Sequence, residues 1–377
     1  MIAASERDSQ MINRISGVPK LTKPGKHMDS LDSLMLFVNA DDKNKEDYLL
    51  KGSQFDFTDR KTLALKTPHG MEEFAFNPHA FGQLATMLSI PPKYLEGCKP
   101  FGKGGMKDQI ESRMENRLAQ DHLIRIRRTP LEGGVAGMIR AVLPGDYAAF
   151  DYHDLIPALR RAMTEVGEGF KLELANAQDP KSVETAIHLR FVRDIAFNFD
   201  ELGIDDPHKM GFHCRVSEIG DGPISISALV WRLVCSNGMM GWGDSEVLKI
   251  QNRNLHKHEV HPQLTEAIFS SVRQEEPMRE MLSRKYQEPV HDPENAIMMM
   301  GLRMKASDFL KEEALGILRR DMANKAEVTR FDLMQAFTRV AHALPINDRV
   351  RLETAVGRHV FGTRSFNQDT TNASEPS

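Results

Sequence analysis

From residue 123 to residue 234 the chain alternates apolar and polar residues in six separate runs, and this pattern constrains the fold more than any other feature. Alternation with period two marks strands that pack one face and leave the other polar. The runs are 123–128, 137–142, 170–175, 185–193, 212–219 and 224–234. Gly220-Asp221-Gly222-Pro223 reads as a hairpin turn between the last two. Residues 151–166, between the second and third runs, read instead as an amphipathic helix. Leu155, Leu159 and Ala162 share one face, with Arg160 and Arg161 elsewhere.

Helical signals flank this region. Asn77 reads as a cap, Pro78 as a first helical residue, and Phe81, Leu84, Ala85 and Leu88 as one buried face, ended by Pro91-Pro92. A second helix is expected over 107–118. From Glu294 to Val360 the period is helical, and Thr329-Arg330-Phe331-Asp332 has the form of a capped start. The expectation is an α+β fold. A central, mostly antiparallel sheet with packed helices is followed by a helical C-terminal region. The boundaries expected are a flexible basic arm over 1–28, an α+β core over 29–275, helices over 290–362 and a disordered tail over 366–377.

Composition narrows the classes. With 41% hydrophobic residues over 377 positions, the chain can bury a substantial core. Three cysteines are too few and too scattered for a disulfide framework or a four-cysteine zinc site, and fit a reducing compartment. The opening residues lack the apolar stretch of a secretory signal, and no run approaches a membrane span. A cytoplasmic protein without membrane contact is expected. The net charge of -4 excludes a globally basic nucleic-acid binder but not a local patch. Residues 99–128 hold eight basic side chains against four acidic ones, while Asp200, Glu201, Asp205 and Asp206 form an acidic cluster.

Strand spacing pairs Arg125 with Arg127, His188 with Arg190 and His213 with Arg215. On a shared sheet they would form a basic band able to replace phosphate counterions. The bland alternative is a solvated strand face. Arg232 falls on the apolar face of Ile224, Ile226, Ala228, Val230 and Val234. It reads either as an anion clamp or as an internal ion pair with a carboxylate such as Asp146 or Asp244. Trp231 and Trp242 are the only tryptophans; either could stack a base, though Trp231 also suits a core. His256, His258 and His261 invite a metal reading, but no supporting carboxylate or cysteine cluster accompanies them. Lys103 and Lys107 flank a Gly-rich loop that lacks the Walker spacing. No catalytic constellation, metal site or cofactor motif is expected.

Residues 231–239, Trp-Arg-Leu-Val-Cys-Ser-Asn-Gly-Met, resemble the Arg-Leu-Val-Cys-Ser-Asn-Gly element of the phage and plasmid family called domain of unknown function 932. Leu88-Ser-Ile-Pro-Pro-Lys-Tyr94 resembles that family's Gly-Ile-Pro-x-x-Tyr segment, and Phe331 to Thr338 its C-terminal helix. Ala141 to Tyr147 departs from the family form. The resemblance runs over about 76–360. Through a remote similarity to the Rad fifty-two superfamily, it implies ATP-independent single-stranded DNA binding and strand annealing by a homo-oligomer of the ring type. The expected nucleic-acid contacts are Lys103, Lys107, Arg125, Arg127, Arg190, Arg215, Arg232, Trp242 and Lys257. The alternatives are an inhibitor acting on a host defence or replication protein, motivated by the acidic cluster, and a metal-dependent nuclease using the three histidines.

Overall fold

The computed structural model describes residues 27–28, 30–58, 62–99, 104–167, 169–176, 186–232, 237–240, 248–250, 256–323 and 325–361. The fold is α+β, as expected. Its strands, however, divide between two sheets.

The chain enters through a two-residue strand β1 (His27–Met28), at the end of the segment expected to be an arm, and helix α1 (Leu31–Asp42). The first sheet follows, from β2 (Lys45–Lys51), β3 (Asp56–Phe57), β4 (Thr62–Thr67) and β5 (Gly70–Phe76). Helices α2 (Pro78–Met87), α3 (Pro92–Gly97) and α4 (Met106–Met114) cover one side before β6 (Asp121–Arg127) and β7 (Gly137–Pro144) complete it. The strand order is β2-β6-β7-β5-β4-β3, antiparallel except for β5 beside β7. Asn77 caps α2 by accepting from the Ala80 amide at 2.7 Å. Phe81, Leu84, Leu95, Ile110, Ile124, Ile126 and Phe74 form the core of this lobe.

Helix α5 (Tyr152–Val166) leads to the second sheet, built from β8 (Phe170–Asn176), β9 (Ile187–Phe199), β10 (Ile204–Val216), β11 (Ile224–Arg232), β12 (Asn237–Met240) and β13 (Leu248–Ile250). Gly167 ends α5 at φ 75°, a left-handed position that favours glycine. The order is β1-β8-β9-β10-β11-β12, with β13 also on β11. One face packs Leu189, Phe191, Phe212 and Ile226 against α1, α5 and a helix α6 (Lys257–Arg273).

The remaining helices are α7 (Glu275–Gln287), α8 (Pro293–Arg303), α9 (Asp308–Met322), α10 (Arg330–Ala341) and α11 (Ile346–Phe361). They form a second apolar cluster with Phe199, Met210, Ala228 and Val230. Thr329 and Asp332 make the expected reciprocal cap of α10. No helix among the described residues is long and apolar enough to cross a membrane.

Candidate functional site

The strand arginines do not form a solvent-facing band. Arg125 and Arg127 lie in the first sheet, and Arg190, Arg215 and Arg232 in the second. Arg125 is 1% exposed and grips Asp151 through two parallel bonds of 2.6 Å, with Asp47 at 2.9 Å. Burial works against its charge, but Asp151 and Asp47 together hold its pKa above the ordinary arginine value. Arg127, also buried, pairs with Asp41 at 2.6 Å. Arg190 is fully buried against Glu353 of α11. Arg215 pairs with Asp221 at 2.7 Å in the hairpin turn.

Arg232 is the internal ion pair, but with a partner from the acidic cluster. Its Nε lies 2.7 Å from both oxygens of Asp206, its Nη1 lies 3.1 Å from Gln335 Oε1, and its guanidinium sits over Phe331. Tyr286 donates to the same carboxylate. Trp231, 6% exposed, packs with Val192, Leu229 and Val350 rather than offering a stacking face. Lys107 is half-buried, 3.6 Å from Glu111. Lys103, Trp242 and the side chain of Lys257 lie outside the described residues. His256 stands at the N-terminal boundary of α6 without a side-chain capping bond, while His258 and His261 occupy its first turns, and His261 faces Glu165 at 3.4 Å. Their ligand atoms do not converge.

Between the two sheets runs a buried charge seam. Glu218, 1% exposed, accepts from Lys45 Nζ at 2.8 Å, Arg140 Nη1 at 3.0 Å and the Tyr152 amide at 3.0 Å. Burial alone would raise its pKa, but Lys45 and Arg140 drive it well below the carboxylate range. Asp42, Asp151 and His153 are the one group of three metal-type ligands among the described residues. Both Asp151 oxygens already bind Arg125. Within the second sheet, His188 and His213 stack with ring centres 5.2 Å apart and share a 3.0 Å bond. His188 also bonds Asn347 Oδ1 at 2.7 Å. Burial pushes His188 down to about 4 and His213 well below its ordinary value.

An open cleft of about 1230 Å³ is lined mostly by the first lobe. It runs between α2, the start of β6, the end of β7 and the Gly220 turn. Gln83 fixes its floor, donating to Ile219 O at 2.7 Å and accepting from the Val142 amide at 2.9 Å. Gly220 has φ 74°, and a Cβ there would lie 2.4 Å from Leu143 Cδ2, so the turn requires glycine. His122 lines the cleft with neither ring nitrogen bonded. Arg117 and Pro92 stand on its margin.

Beside the cleft, Lys93, Lys99, Arg113 and Arg117 have no carboxylate partner among the described residues. Arg113 reaches only the Leu88 and Ser89 carbonyls, and Arg117 only Gln120. Tyr94, next to Lys93 on α3, is 56% exposed. His122 is absent from the expected site residues, although it stands in step with Ile124 and Ile126, and a histidine on an apolar strand face is the available signal. Compared with protein-family models, curated proteins and solved structures, the chain matches none.

Proposed function

We propose that the chain is a cytoplasmic, ATP-independent single-stranded DNA-binding and strand-annealing protein of a phage or plasmid. In this reading it works as a homo-oligomer, and the first lobe rather than the strand arginines meets the nucleic acid. One observation carries the reading. The exposed cations Lys93, Lys99 and Arg113 lie on the same α3–α4 segment as the exposed ring of Tyr94, and the half-buried Arg117 that follows α4 lines an open cleft. Unneutralised cations supply phosphate affinity, and an exposed aromatic ring offers a stacking face to unpaired bases. The resemblance of residues 88–94 to the family segment falls on the same surface; residues 233–236 of the central motif lie outside the described residues.

The experiment is an anisotropy titration of a labelled oligonucleotide across salt. Four phosphate contacts predict a slope of log affinity against log salt near about -3 for a single strand. Replacing Arg113 and Arg117 together by alanine should flatten it by about 1.4. Absence of binding at about 50 mM salt overturns the reading. A solution mass equal to one chain overturns the oligomer.

A further inference from the structure

His122 is the most exacting feature of the cleft. Its ring is 3% exposed, both nitrogens are buried without a hydrogen-bond partner among the described residues, and Phe55 holds it edge-on with ring centres 5.5 Å apart. A buried polar group without a partner carries an unmet desolvation cost, a requirement that a ligand can meet. Burial first, and Arg117 second, hold the imidazole below its ordinary pKa. It is therefore neutral at pH 7 and offers one donor and one acceptor.

The walls narrow the ligand further. Met87, Val142 and Leu143 give the cleft apolar sides, and Arg117 places a cation at its margin. Asp121 and Asp146 also line it, so a highly charged polyphosphate is disfavoured. A planar group with donors and acceptors on one edge and a single anionic tail fits this set. The volume exceeds the roughly 300–1,000 Å³ of ordinary small-molecule sites, which leaves room for a nucleoside monophosphate with its strand continuing outward.

We propose that the cleft is a nucleotide pocket in which His122 bonds the edge of one base, the apolar walls hold its faces and Arg117 takes its phosphate. The proposal rests on the reading that this lobe contacts single-stranded nucleic acid, and it names where a base is held.

The test follows the His122 ring proton by NMR in the full chain while adenosine monophosphate or deoxythymidine monophosphate is added. A saturable shift of that signal is expected, absent in His122→Phe. Arg117→Ala, which alters only the margin, should weaken the monophosphate at least tenfold and leave the parent nucleoside unchanged. If the oligonucleotide binds but the monophosphates leave His122 unmoved, the pocket is wrong while the interface reading stands. If the monophosphates shift His122 and no oligonucleotide binds, the pocket stands as a free-nucleotide site and the annealing reading falls. Silence from both ligands overturns both.

Discussion

The seam between the sheets and the cleft on the first lobe both bury polar side chains, but they treat them in opposite ways. At the seam, Lys45, Arg125, Arg127 and Arg140 meet Asp41, Asp47, Asp151 and Glu218, cation against carboxylate. The match is by charge and not by every atom, since Arg127 Nε and Arg140 Nε and Nη2 remain bare. At the cleft, His122 is buried with no hydrogen-bond partner among the described residues, and the neighbouring cations have no carboxylate partner there either. Matched charges hold two sheets together. Unmatched groups beside an open volume are where a ligand has something to gain. The arginines that best fit a phosphate-binding pattern in sequence are thus structural, and the candidate site lies where that pattern is weaker.

The sharpest way to break this contrast is at Glu218. Glu218→Gln leaves Lys45 and Arg140 facing a neutral amide, and removal of one member of a buried ion pair costs about 3–5 kcal/mol. Urea denaturation should show a large fall in midpoint with little change in slope. A midpoint equal to that of the parent would show that the seam is not an energetic unit.

Acid titration separates the two buried networks. His188 has a folded pKa of about 4 against 6.5, so the unfolded chain takes up its proton first as pH falls. Its stability contribution is complete above about pH 6.5 and drains away down to about pH 4, roughly 3 kcal/mol in all. His213 adds to the same direction. Glu218, held below the carboxylate range, loses its contribution only at more acid pH, as it becomes protonated. Unfolding free energies measured from pH 7 to pH 3 should therefore decline in two stages. Glu218→Gln should shrink the more acid stage and leave the histidine stage in place. A flat profile between pH 6.5 and pH 4 would contradict the neutral histidine pair.

A smaller effect is expected at Arg232. Arg232→Met leaves Asp206 with Tyr286 as a side-chain donor, while keeping apolar volume against Phe331. The cost should be about 2 kcal/mol, below that at Glu218 because the Arg232 side chain is 19% exposed rather than sealed. Oligonucleotide affinity of the folded fraction should not move. Affinity lost without loss of stability would return Arg232 to the role of an anion clamp.

Legibility in the sequence followed the range of the interactions. The runs that became β6, β7 and β11, the α2 cap and the Thr329–Asp332 cap rest on neighbours within a few residues, and all could be read locally. The division into two sheets could not. Residues 45–51 carry Lys45, Glu46 and Asp47 and form an edge strand whose polar side chains hide its period. The β9–β10 hairpin extends through the acidic cluster because Asp206 is neutralised by Arg232 on the neighbouring strand. Charge pairing is longer in range still. Arg125 and Asp47 are 78 residues apart, and Arg190 and Glu353 are 163 apart, so no local window shows that these arginines are taken. His122 was the exception: its position on an apolar face was visible, but the emptiness around its nitrogens needed the fold.

The smallest stability effect is expected at that residue, and it tests the contrast from the other side. In a matched network, deleting one partner strands the other. His122 has no hydrogen-bond partner among the described residues to strand. His122→Phe removes a buried polar group without a bond and adds an apolar ring beside Phe55 and an open volume. Replacing polar by apolar groups of similar shape is close to neutral or mildly stabilising. The urea midpoint should therefore stay within about 1 kcal/mol of the parent and rise if it moves. A loss as large as that expected at Glu218 would show that His122 is tied into the fold, and the distinction between a structural seam and a ligand-ready cleft would fail there.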